Sequence, residues 1–431
     1  MHRHMLLVVA LILAAGTAWG QAPSTPSEGE STKDLLERIE KLEKRVVELE
    51  ARLGPTTAAP STAPMVSPAQ NPTVVEQAPG MEHAQAPYSA EQQATIQEAE
   101  THYPNLAIRG FADVDFSATN QPGPVSGFNP GVSSGFNLGQ FDLHLASSLS
   151  KKITYFAEIT FNAQPTGYTL EVERSIIRYD YDDYFKLSFG RYHTPISYWN
   201  TAFHHGAWLQ TTITRPEMVK IGGVFIPVHF VGLLTEGNIP SGGLHLAYEV
   251  GLGNGRGSIL SRAGDAGDVN NNRAWLVNVF ARPAGFYGLQ VGGSFYKDEI
   301  RLPTGDNVRE WIASTHVIWT KETPEFLAEF ANSHHQDLLT GQTFNTPAFY
   351  VQFAYRLPWL NRALKPYYRF EYIQPPLGEP ILAGTDLRGS TLGIRYDISS
   401  FAAFKTEYRN TRRLASEPRV NGVFVQTSFT F

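Results

Sequence analysis

Three histidines, His193, His204 and His205, stand close together in the chain, and imidazole is the side chain most used to hold a transition metal or move a proton near neutral pH. Their spacing matches no metal-site pattern, and no carboxylate accompanies them in that stretch. They are expected to be polar loop residues, with no metal assigned. His334 and His335 close an alternating stretch and receive no role. Gly251-Leu252-Gly253-Asn254-Gly255-Arg256-Gly257 has the glycine content of a phosphate-cradling loop, but no helix pattern follows to present its N–H groups, so it reads as an outer loop. The serines near Gly292 and Gly293 lack the strand-turn-helix setting of a nucleophile elbow. The absence of cysteine excludes thiol nucleophiles, thiolate metal sites and disulfides together. No catalytic residue and no cofactor is expected.

What remains is charge. Of 35 Lys/Arg and 41 Asp/Glu, 7 and 13 fall in residues 1–102, which leaves 28 of each sign in 103–431. Within that region Arg outnumbers Lys by 20 to 8, and a guanidinium stays charged while offering a planar fork to carboxylate or phosphate. Arg109, Arg178, Arg369, Arg395, Arg409 and Arg413 are candidates to line a lumen, as are Asp113, Glu158, Glu171, Glu173, Glu371 and Glu407. A region neutral overall cannot focus one ion sign strongly. The expectation is a modest preference for anions, with a transverse field between opposed rows as the alternative. A nucleic-acid partner is not expected from a mildly acidic chain.

These charges are set into a period-two pattern. In Leu106–Phe116 the even positions are apolar or small, while Arg109, Asp113 and Asp115 fall on the odd ones. Phe141, Leu143, Leu145 alternate with Gln140, Asp142, His144 in the same way, and Tyr368, Phe370, Tyr372 with Arg369, Glu371. One apolar and one charged face is what a strand between lipid and water requires. Sixteen such runs begin near residues 105, 136, 152, 168, 184, 223, 243, 274, 287, 309, 325, 347, 365, 387, 402 and 420. Short connections alternate with longer ones, such as 120–134, 192–222, 253–273 and 375–386. No apolar run after the N-terminus approaches the ~18 residues of a membrane helix. A propeller would need a fixed-period repeat, and none is found. The fold class expected for 103–431 is all-β, a 16-stranded antiparallel transmembrane β-barrel.

Ahead of it, residues 1–20 read as a signal peptide, with His2, Arg3 and His4 before an apolar run and small residues Ala18 and Gly20 at a cleavage site. Residues 33–53 carry a heptad: Leu35, Ile39, Leu42, Val46, Leu49 and Leu53 form one seam, and Arg38 faces Glu43, as Arg45 faces Glu50, between parallel helices. β-Branched residues at a with Leu at d lean toward a dimer. The doubled Arg-h-x-x-h-Glu pattern, from Arg38 to Glu43 and from Arg45 to Glu50, is similar to that of short trimeric coiled coils, and a trimer is preferred. Residues 54–102, with seven prolines and few large apolar groups, read as a disordered linker.

The signal peptide, the sixteen alternating runs and Phe431 on the last of them resemble a Gram-negative outer-membrane porin. Gly190-Arg191-Tyr192-His193-Thr194-Pro195, with Trp199-Asn200 and His204-His205-Gly206, is similar to porins grouped loosely with the phosphate-selective porin O and P family, and the coiled coil to trimeric porins with such an extension. The resemblance implies passive diffusion of small hydrophilic solutes across the outer membrane, with the N-terminal extension in the periplasm. The implied partners are two further copies in a homotrimer, outer-membrane lipid and lipopolysaccharide, and barrel-insertion machinery that reads Phe431. It also implies a constriction in the third outer loop, 192–222, where Tyr198, Trp199, Arg191, His193, His204, His205 and Arg215 would form the wall and polar edge. The competing placement puts the loop's rings at a trimer contact. Two rival functions stay open: a structural tether gripping another envelope component through the coiled coil, and a barrel enzyme.

Overall fold

The computed structural model describes residues 103–120, 134–164, 167–203, 206–413 and 418–431. The signal peptide, coiled coil and linker assigned to 1–102 lie outside the described residues, and so do His204 and His205. Sixteen strands follow one another. The first four are β1 (Ala107–Thr119), β2 (Gly135–Ser148), β3 (Ile153–Gln164) and β4 (Gly167–Asp180). Next come β5 (Lys186–His193), β6 (His229–Ile239), β7 (Leu246–Asn254) and β8 (Ala274–Ala281). Then follow β9 (Leu289–Arg301), β10 (Asn307–Thr320), β11 (Glu325–Asp337) and β12 (Thr343–Ala354). The chain finishes with β13 (Leu364–Ile373), β14 (Leu387–Ser399), β15 (Ala402–Arg412) and β16 (Val420–Thr430). Each pairs antiparallel with its sequence neighbours, and β1 pairs with β16 in the register Phe111 to Thr430, which closes the barrel. Among the described residues no helix is long and apolar enough to cross a membrane.

Closure gives every strand two hydrogen-bonded edges, the condition for strands in hydrocarbon. The alternation then sorts side chains. In β1, Phe111, Asp113, Asp115 and Ser117 are buried while Ile108 and Val114 are exposed. Phe136, Tyr168, Phe189, Leu252, Phe353, Leu392 and Tyr408 continue that exposed apolar surface around the barrel. In water this belt would far exceed the apolar patch a soluble monomer tolerates, whereas lipid matches it. The seam of closure is packed at Gly110. A side chain there would meet the ring of Phe431 at 2.3 Å, and Gly110 and Phe431 exchange both backbone hydrogen bonds, 2.8 and 3.0 Å.

Most strands begin within a few residues of the positions read from alternation. The sixth is the exception: β6 starts at His229, not near 223. Phe225, Ile226 and Val228 mimic a strand, but they are buried as the end of the connection from β5. The third outer loop is therefore Thr194–Val228 and not 192–222.

Candidate functional site

The connection Thr194–Val228 leaves and rejoins the wall at one place. His193 and His229 are cross-strand partners, and Thr194 N donates to Val228 O at 2.8 Å. Between them the chain turns inward through Ser197, whose φ of 76° is one that few non-glycine residues adopt, into a short helix, α1 (Tyr198–Ala202). The orphan N–H groups at its start need an acceptor, and Glu329 of β11 supplies it, at 2.7 Å from Tyr198 N and 2.9 Å from Trp199 N. Tyr350 of β12 donates to the same carboxylate at 2.5 Å. At Gly206, with φ 96°, a Cβ would stand 2.9 Å from Phe111 of β1, so only glycine fits.

Beyond that point the backbone forms two single turns of 3-10 helix, Ala207–Leu209 and Glu217–Val219, and is otherwise irregular, held by long charged side chains. Arg395 of β14 donates to Trp208 O and Gln210 O at 2.7 and 2.9 Å. Lys405 of β15 donates to Ala207 O and, at 3.1 Å, to Thr212 O. Arg369 of β13 donates to Thr214 O at 2.7 Å, and Glu407 of β15 accepts from Ile213 N at 2.7 Å. A segment rooted between β5 and β6 that bonds to β11, β13, β14 and β15 lies across the inside of the barrel.

Two further connections fold in behind it. Arg256, after β7, pairs with Glu310 of β10 at 2.8 Å and donates to Phe225 O at 3.1 Å. Burial works against its charge, but the Glu310 carboxylate outweighs that and raises its pKa above the ordinary arginine value. Glu379, between β13 and β14, bonds to His335 of β11.

The residues picked from the sequence are placed as follows. Tyr198 and Trp199 are buried inside the barrel, and burial pushes the Tyr198 phenol up from its usual pKa. Arg215 donates to Phe203 O, Val219 O and Asn200 Oδ1, and burial lowers its pKa to about 10, which leaves it charged. Arg191 sits near the long-loop rim, with Nε on Glu173 O at 3.1 Å and its guanidinium on Asp265. Arg109 is half-buried with Nε 3.3 Å from Thr430 Oγ1, and Asp113 accepts from Gln140 N at 3.3 Å. The remaining charges are paired: Arg178 with Asp180 and Glu236, Arg369 with Glu371, Arg395 with Asp397, Arg409 with Glu407, Arg413 with Glu217.

His193 is buried with Nδ1 3.2 Å from Asn200 O. The carboxylate missing from its stretch of sequence comes from Glu173 of β4, and His229 joins it, with Nε2 2.5 Å from Glu173 Oε2. Glu325, Glu329 and Lys405, which hold the inserted connection, were not singled out from the sequence. Each stands on the charged face of an alternating strand like many others, and only the register shows which of them meet the loop.

Comparison with solved structures gives the class of fold. The anion-selective porin from Comamonas acidovorans superposes with a TM-score of 0.55 at 10% identity, over 76% of this chain and 100% of that one. The outer membrane channel DcaP of Acinetobacter baumannii gives 0.53 at 12%, over 76% and 98%. A loop L8 deletion mutant of OmpT, an outer membrane protein of Vibrio cholerae, gives 0.52 at 13%, over 77% and 100%. The chain has the sixteen-stranded barrel fold of Gram-negative outer-membrane porins. No protein-family model matches the sequence, and no curated protein does either.

Proposed function

We propose that the chain is a passive channel of the Gram-negative outer membrane through which small hydrophilic solutes diffuse past the inserted connection Thr194–Val228. The observation that carries this reading is the path of that connection, from its root at His193 and His229 to Lys405 and Glu407 on the facing wall. A buried, mostly irregular backbone held by strand charges narrows the barrel. Tyr198, Trp199 and Arg215, with Arg191 and His193, form the constriction, a role the sequence assigns also to His204 and His205. Arg109, Asp113, Arg178, Arg369, Glu371, Arg395 and Arg409 line the passage around it. Because most of these arginines are paired with carboxylates, the anion preference is small, and the field runs across the lumen more than along it.

Single-channel conductance in planar bilayers, with reversal potentials in a salt gradient, tests the reading. Discrete ohmic steps with a weak anion preference are expected; a strong cation preference would overturn the selectivity. Liposome swelling by sugars and amino acids separates a channel from a tether or a barrel enzyme, neither of which passes solutes. The assembly is a homotrimer reinforced by the heptads of 33–53. Polar replacements at Ile39, Leu42, Val46 and Leu49 should loosen it without closing the channels, and native mass spectrometry of the unmodified protein showing only monomers would reject it.

A further inference from the structure

We propose that Glu173, His193 and His229 bind one divalent transition-metal ion at the root of the inserted connection. His193 ends β5 and His229 begins β6, and their rings lie 5.1 Å apart, inclined at 60°. Glu173 stands at the irregular step where β3 and β4 shift register, between the pairs Glu158–Arg174 and Ile159–Val172. An extra residue at such a bulge re-aims its side chain out of plain alternation. Here the carboxylate reaches His229. One ligand atom from each of the three lies within 4.8 Å of the other two, and all three residues are buried. Two imidazoles and one carboxylate suit Zn²⁺, Co²⁺, Ni²⁺ or Fe²⁺, with water completing the sphere; Mg²⁺ and Ca²⁺ prefer sites made wholly of oxygen.

The surroundings orient the ligands. A carbonyl can only accept, so the contact of His193 Nδ1 with Asn200 O puts the proton on Nδ1 and the lone pair on Nε2. Asn200 is itself fixed, donating from Nδ2 to Thr194 O and Val228 O at 2.7 and 3.1 Å and accepting from Arg215 at 2.9 Å. Arg215 directs its N–H groups to Asn200 and to loop carbonyls. A hydrogen-bonded His229–Glu173 pair would account for two of the three groups. The third group, the His193 imidazole turned by a rigid carbonyl, brings a second ring nitrogen to within 4.8 Å of the other two ligand atoms. With bonds of ~2.0–2.1 Å in a four-coordinate site, ligand atoms on one metal sit ~3.3 Å apart, so binding opens the 2.5 Å contact by about 0.8 Å. The ion would join β4, β5 and β6 at the point where the connection both leaves and re-enters the wall.

The test uses the full chain in detergent, stripped with a chelator and titrated with Co²⁺ and then Zn²⁺. One tight Co²⁺ per chain is expected, with the visible absorption of a low-coordinate nitrogen–oxygen site that Zn²⁺ bleaches, and with a higher melting temperature when Zn²⁺ is present. Glu173→Gln and His229→Ala should each weaken binding by at least about tenfold. Far-UV circular dichroism checks that the barrel has formed, and if His229→Ala does not fold, the isosteric Glu173→Gln decides alone. Absence of tight Co²⁺ binding to the unmodified protein, or unchanged binding in a folded Glu173→Gln variant, would overturn the site and leave a His–Glu pair.

Discussion

Two walls of the same barrel treat the inserted connection differently. On β8–β12 the buried face carries Leu276, Ile312, Leu327, Ala331 and Tyr350, packed in one core with Trp199, Phe203, Met218 and Phe225 of the connection. On β13–β16 the buried face carries Arg369, Arg395, Lys405, Glu407 and Arg409, and its side chains bond to the backbone of residues 207–214. The first wall takes mainly the loop's side chains, with Glu329 also accepting from Tyr198 N and Trp199 N, and the other holds the peptide groups of 207–214. A buried irregular backbone has no ladder of its own, so its carbonyls must find donors elsewhere, and flexible cationic side chains on a strand reach them. Several charges that look like a selectivity lining therefore hold the loop as well.

Removing the object both walls hold should have the largest effect. Deleting residues 196–210 is expected to raise single-channel conductance severalfold. It should also lower the melting temperature, because inward residues such as Leu276, Ile312 and Leu327 would face water at about 1.5–3 kcal/mol each when fully exposed. Unchanged conductance in an assembled deletion variant would place the constriction elsewhere. Next, Leu327→Ala on the apolar wall should cost about 2–5 kcal/mol by urea midpoint, with little change in conductance if the loop stays seated. Arg395→Met on the charged wall should show the opposite balance. It deprives Trp208 O and Gln210 O of their donor, at about 1–3 kcal/mol, while freeing the loop to fluctuate, read as added noise in the open-channel current. Equal noise from both variants would erase the distinction between the walls.

The contrast also explains what the sequence could and could not show. Lipid faces every strand, so the outward period-two signal is present all round the barrel and the strands were legible. On the apolar wall the inward face mixes apolar residues with polar ones such as Glu310, Ser314 and His316. In β10, Val308, Ile312 and Ile318 point in while Trp311, Val317 and Trp319 point out, so period two loses its contrast there. The loop declared itself by composition, since Tyr198, Trp199 and Phe203 are out of place in a solvated connection. Its end was hidden, because Phe225 to Val228 alternates as a strand would. The approach of Glu173 to His193 and His229 depends on the register of three strands and on one bulge, and no local spacing encodes either.

The smallest expected effect lies at the seam between the walls, on the short-turn rim. Glu322, in the turn between β10 and β11, accepts from Lys365 of β13 at 3.1 Å and from Arg356, which reaches on to Asp397 of β14 at 2.5 Å. Burial alone would raise the Glu322 pKa, but Lys365 and Arg356 outweigh it and lower it from 4.5 to about 2. A depressed folded-state pKa means the unfolded chain takes up its proton first as pH falls. The stabilisation is therefore complete above about pH 4.5 and is lost as pH falls through about 2. The rim is partly open to solvent, so the contribution is screened to no more than about 2 kcal/mol. Glu322→Gln should accordingly lower the urea midpoint at pH 7 and flatten its decline between pH 4.5 and 2 relative to the unmodified protein. Parallel midpoint–pH curves for the two proteins would show that the walls are joined at this rim by packing and not by the ion pairs.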